Sequence, residues 1–109
     1  MRTSGSVKAV LMGLALMLTP VLAQAEPVWI DVRTKAEHRE NHIDSDPLIP
    51  HTKIVSQVTE HFPDKDTEIN LYCVAGTRAG KAKAALERAG YTNVKNQGGI
   101  SDVRQARDL

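Results

Sequence analysis

The one cysteine of this 109-residue chain, Cys73, stands where chemistry is easiest to build. Ile69 and Leu71, with Asn70 and Tyr72 in alternation, read as a short buried strand ending at the thiol. Val74-Ala75-Gly76-Thr77-Arg78-Ala79-Gly80 follows, and then an alanine-rich stretch with helical spacing. In a strand–turn–helix junction of this kind, the N–H groups of the turn converge on an anion and the positive end of the helix dipole adds to the field. Both effects favour thiolate over thiol and make the sulfur a nucleophile. The competing reading is a buried structural cysteine, the commoner fate of a lone thiol. Position alone leaves the two level.

The elements that must carry this junction begin after a distinct amino-terminal segment. Arg2 and Lys8 precede an apolar run from Ala9 to Leu18, broken only by Gly13, and Pro20 and Ala23-Gln24-Ala25 follow. This is the pattern of a cleaved signal peptide over residues 1–25, with an apolar core shorter than the roughly 20 residues a membrane span requires. The expected mature chain, residues 26–109, is then a single small domain, periplasmic or secreted. Without Arg2 and Lys8 it carries 12 basic and 13 acidic residues, a net charge of −1. That balance points away from nucleic acid and from anionic membrane surfaces as partners. One cysteine allows no intrachain disulfide, and a free thiol in an oxidising compartment is a liability unless buried or used.

Short apolar strands alternate with helical stretches along the mature chain. Val28-Trp29-Ile30-Asp31-Val32 has first-strand character, and Thr34 with Glu37 makes a capping box that opens a helix through about Asn41. His42-Ile43 reads as a brief strand, and Pro47 and Pro50 mark a loop. Ile54, Val55, Val58 and Phe62 share a helical face that Pro63 ends; Ala79, Ala82, Leu86 and Ala89 form another, closed by Gly90. Val94 centres a further strand, Gly98-Gly99 turns the chain, and Ile100 with Val103 makes a last helical turn. The pattern predicts an α/β fold: a small parallel sheet of about four short strands flanked by helices. Ligands of open parallel sheets bind beyond the carboxyl ends of the strands, where Cys73 falls. Asp31 and Arg33 share one face near the end of the first strand, and Arg33 is positioned to pair with Glu37. These three read as structural support.

Trp29-Ile30-Asp31-Val32-Arg33, Glu37, His42-Ile43 and Ile49-Pro50 resemble the opening signature of rhodanese domains. Tyr72 to Gly80 resembles their active-site loop, and Gly90-Tyr91, Val94 and Gly98-Gly99 resemble their closing segment. The leader and size are most similar to the periplasmic single-domain thiosulfate sulfurtransferases of the phage-shock type. The chain departs from the pattern at Asn41, where glycine is usual, at Ser45-Asp46, in place of Gly-Ala, and at His38, often aromatic.

The resemblance implies sulfur transfer through a persulfide on Cys73, from thiosulfate to cyanide or a thiol, a protein thiol included. Within that reading, the N–H groups of Val74, Ala75, Gly76, Thr77 and Arg78 form the substrate loop. Gly76 permits the curled backbone. Arg78 attracts the dianionic donor and offsets charge on departing sulfite, or else is a solvated charge on the first helical turn. Thr77 donates its hydroxyl to the bound sulfur or caps the helix. A sulfur carrier without efficient turnover would need the same cysteine and stands as the alternative. Thiol phosphatases and arsenate reductases set one more residue between cysteine and arginine than the four found here, giving a cradle wide enough for a tetrahedral oxyanion. A degenerate interaction domain would be expected to have lost the cysteine. His38 and His42 lie four apart without a third ligand, so no metal is expected; His51 and His61 read as surface residues at helix ends. No cofactor is implied, and the expected state is a monomer or weak dimer.

Overall fold

Alternation with period two builds a three-stranded sheet in a computed structural model that describes residues 26–109. The leader expected over residues 1–25 lies outside the described residues. Strands β1 (Val28–Asp31), β2 (Ile69–Cys73) and β3 (Val94–Gly99) run parallel in the order β1-β2-β3. All five residues of β2 are buried, as expected for a central strand covered on both faces. Ile69, Leu71 and Cys73 point into one core beside Ile30 and Val32, while Tyr72 points into another.

The first core lies beneath α2 (Ile54–His61) and α3 (Thr77–Arg88), which contribute Ile54 and Val58, and Ala79, Ala82 and Leu86. Full burial of a side chain such as Leu86 stabilises the fold by about 1.5–3 kcal/mol. Val55 lies off this face and is exposed. The small alanines let α3 sit close to the sheet. Gly90, with φ +102°, follows the helix and turns the chain toward β3.

The second core is smaller and more polar. Helix α4 (Ile100–Arg107), two turns rather than one, packs Ile100 and Val103 against Tyr72, Ile43 and Trp29. Its basic residues fasten it: Arg107 makes a fork to Asp46 at 2.7 and 3.2 Å and lies 4.3 Å over the Trp29 ring. Arg104 donates to the Asn41 side chain and the His42 carbonyl at 2.8 and 2.9 Å. Tyr72 donates its hydroxyl to Asp46 at 2.8 Å, and burial, then the carboxylate, holds its phenol far above the ordinary range. Two of the departures from the rhodanese pattern, Asn41 and Asp46, thus receive the arginines of α4.

Helix α1 (Lys35–Glu40) opens with the capping box read from the sequence: Thr34 Oγ1 accepts from the Glu37 amide at 3.2 Å, and Glu37 accepts from the Thr34 amide at 2.9 Å. Two expectations for the neighbouring segments are corrected. His42-Ile43 is not a strand: Ile43 is drawn under α4, and Asp46 N donates back to its carbonyl at 3.0 Å, closing a turn. The segment that follows β1 lies five residues further on, where Leu48 forms a one-residue bridge with Asp31. Arg33 does not pair with Glu37. It forks onto Asp31, with Nε–Oδ1 at 2.9 Å and Nη2–Oδ2 at 2.8 Å, because Asp31 is two residues back on the same face. Nη2 also donates to the Asn41 carbonyl at 2.6 Å.

Both members of this pair are buried, so loss of the carboxylate strands a charge. Asp31→Ala is expected to cost about 3–5 kcal/mol in urea unfolding. Adding Arg33→Met should recover part of that loss, and full additivity of the two substitutions would show that the pair is not what matters.

Candidate active site

Strand β2 and helix α3 place the thiol, and the three residues between them shape its surroundings. The ladder between β2 and β3 shifts register between Leu71 and Cys73, so that Cys73 lies opposite Gly99. Gly76 is the N-cap of α3 with φ +95°, a left-handed conformation that L side chains rarely adopt. That curl turns the Gly76 amide back to Cys73 Sγ at 3.0 Å, and the Ala79 amide, in the first turn of α3, reaches the same sulfur at 3.4 Å. Burial by itself raises the thiol pKa, but the amides of Ala79, Ala75, Gly76 and Arg78 together outweigh it, and the thiol lies below its ordinary value. Cys73 is only 1% exposed, at the floor of the loop, while Val74 is 53% exposed on its rim with Ala75 and Thr77.

The donor set is therefore displaced toward the helix. The hydrogen bonds to sulfur come from Gly76 and Ala79, not from Val74 or Thr77. Ala79 escaped the sequence reading although the signal was present: a helix leaves its first four amides without intrahelical partners. Thr77 makes no capping hydrogen bond, since Gly76 occupies the cap and Thr77 is already in the helix.

Asn96 and Gly99 were also missed. Asn96 Nδ2 donates to the Gly76 carbonyl at 2.9 Å, and its Oδ1 accepts from Gly98 N at 2.9 Å, tying the loop to β3. A Cβ at Gly99 would collide with the Val74 carbonyl oxygen, so close approach of loop and strand requires glycine there. The Gly98-Gly99 pair is a turn signal in sequence, and nothing in it marks this approach.

Arg78 is not a solvated charge. Its Nη1 and Nη2 fork onto Glu37 Oε1 and Oε2 at 2.7 and 3.0 Å, joining the active loop to α1. The guanidinium, then the Thr34 amide, lowers the Glu37 carboxyl pKa to about 2. Asp31 and Arg33 lie behind this pair and bond to each other.

A buried strand-end cysteine, whose sulfur accepts hydrogen bonds from backbone amides at the start of a helix, lies where an anionic sulfur is favoured within an α/β domain. The chain belongs to the rhodanese-like domain family, whose pattern matches residues 19–106. It is 36% identical over 93 residues to the thiosulfate sulfurtransferase PspE of Escherichia coli K12, covering 85% of this chain and 88% of that protein. The solved structure of a rhodanese with anions from Escherichia coli superposes with a TM-score of 0.67 at 35% identity, covering 71% of this chain and 91% of that one. A rhodanese-like domain protein from Staphylococcus aureus superposes with a TM-score of 0.62 at 28% identity, covering 75% and 78%.

Two titrations test the electrostatics. Thiolate absorbance of Cys73 followed against pH should show a midpoint below the free-cysteine value of about 8.5; a midpoint at or above it would mean that burial overrides the amides. For Glu37 the folded pKa of about 2 lies below that of the unfolded chain, so its contribution is complete above the unfolded value and is lost as pH falls toward 2. With the pair partly exposed, that contribution is about 1 kcal/mol or less. Glu37→Gln should flatten the acid limb of stability by that amount, and an unchanged limb would assign it to other carboxylates.

Proposed function

We propose that the chain is a thiosulfate sulfurtransferase that works through a Cys73 persulfide. The observation that carries this reading is the convergence of the Gly76 and Ala79 amides on Cys73 Sγ at 3.0 and 3.4 Å. Family membership and the identity to a thiosulfate sulfurtransferase support it, as do the anions held by the solved relative.

In the first half-reaction the Cys73 thiolate attacks the outer sulfur of thiosulfate. An S–S bond forms on the protein, the bond to the sulfonate breaks, and sulfite leaves with the electron pair. The charge stays on the terminal sulfur of the persulfide, within the ring of amides, where preorganised donors stabilise it without reorganisation. In the second, cyanide or a thiolate attacks that terminal sulfur and Cys73 is released as thiolate. No proton has to move in either step, which suits a loop that offers amides and no acid. Arg78 lies beside the path of the dianionic donor, and Val74, Ala75 and Thr77 form the rim it crosses. Asp31, Arg33 and Glu37 hold the ground beneath.

The finer reading places the protein in the periplasm after cleavage of residues 1–25, with a small thiol or a protein thiol as acceptor. Among the described residues, no helix is long and apolar enough to cross a membrane. An amino-terminal mass beginning at Glu26 in exported material would support the cleavage.

Intact mass tests the chemistry directly. Incubation with thiosulfate should add one sulfur atom, and cyanide should remove it with thiocyanate accumulating over many cycles. A stable adduct without turnover would make the protein a carrier, and no adduct would sink the proposal. Cys73→Ser should abolish transfer without loss of fold. Arg78→Ala should raise KM for thiosulfate more than it lowers kcat.

A further inference from the structure

We infer that Glu37 sets the anion preference of the thiolate loop by competing with the sulfur donor for Arg78. The inference rests on the sulfur-transfer reading above and makes Glu37 a positioning residue that acts through Arg78. The arginine spends Nη1 and Nη2 end-on against two carboxylate oxygens, at 2.7 and 3.0 Å. That fork is also what the oxygens of a sulfonate or sulfite would seek.

Glu37 is held in place independently of Arg78. Its Oε1 accepts from the amide and the hydroxyl of Thr34 at 2.9 and 3.0 Å. The carboxylate therefore keeps its place whether the loop is empty or filled. Its charge largely cancels that of Arg78 at the mouth, leaving the amides of the loop to solvate sulfur. Amides alone suit a monoanion such as the persulfide. A dianion is held only as firmly as it draws Arg78 away from Glu37, so sulfite departs readily once the bond to its sulfur has broken.

Glu37→Gln tests this with little disturbance, because glutamine at the same position also completes a capping box. Removing one negative charge from the mouth should lower KM for thiosulfate about threefold or more, given two charges a few ångströms from a partly exposed site. Sulfite should inhibit at correspondingly lower concentration, and KM should become more sensitive to salt. A KM that is unchanged or raised would overturn the inference and leave Glu37 a prop for Arg78. Binding without turnover separates this from the chemistry: in a Cys73→Ser background, thiosulfate is titrated against the amide resonances of Gly76 and Ala79, with and without Glu37→Gln. Tighter binding with the substitution supports competition even if no sulfur is ever transferred, and equal or weaker binding overturns it. Normal binding with no persulfide in the cysteine protein would instead strike the sulfur-transfer reading.

Discussion

The structure depends on favouring the anionic form of a buried sulfur without a neighbouring cation in direct contact. Burial alone would drive Cys73 to the neutral thiol, so the charge must be repaid by dipoles brought close and held still. Backbone amides suffice only if several point at one atom, which neither a strand nor a helix provides in its interior. The end of β2 and the free amides of α3 provide it together, through a three-residue link with one left-handed residue at Gly76. The register shift in the β2–β3 ladder, the glycine at position 99 and the Asn96 side chain on the Gly76 carbonyl serve the same geometry from the neighbouring strand.

Around this centre stand three arginine–carboxylate forks, two of which join parts of the chain that local sequence does not bring together. Arg33–Asp31 closes the end of β1, Arg78–Glu37 spans from α3 to α1, and Arg107–Asp46 carries α4 to the loop before Leu48. Arginine suits all three, since a planar fork fixes direction as well as distance. Their exposures differ, and so does their weight: the first is buried and structural, while the second is partly open at the mouth of the site.

Much of this was legible in residue patterns. Strand β2, the stripe of Ala79, Ala82 and Leu86, and the Thr34–Glu37 box all depend on near neighbours, and each forms where its pattern lies. The parallel sheet followed from alternation of strands and helices, and the position of Cys73 at a strand end followed from the same alternation. What was not legible depends on contacts distant in sequence. Glu37 reads in sequence as the partner of its near neighbour Arg33, but Asp31 takes that arginine and Glu37 pairs instead with the distant Arg78. Ile43 has the apolar character of a strand residue, yet its burial comes from α4, nearly sixty residues later. The amide of Ala79 is invisible to side-chain reasoning because any residue there would supply it.

The close approach of Gly99 to the Val74 carbonyl makes activation of the sulfur a property of the assembled sheet. Strand β3 forms the back wall of the thiolate loop, and it is the last strand in chain order. Until β3 joins the sheet, the loop lacks the Asn96 tie and the close approach that fix its curl. Without β3 in place, nothing on that side holds the Gly76 amide toward Cys73 Sγ. The reactivity of the thiol therefore reports on the docking of β3, a strand that contributes no atom to the hydrogen bonds on sulfur.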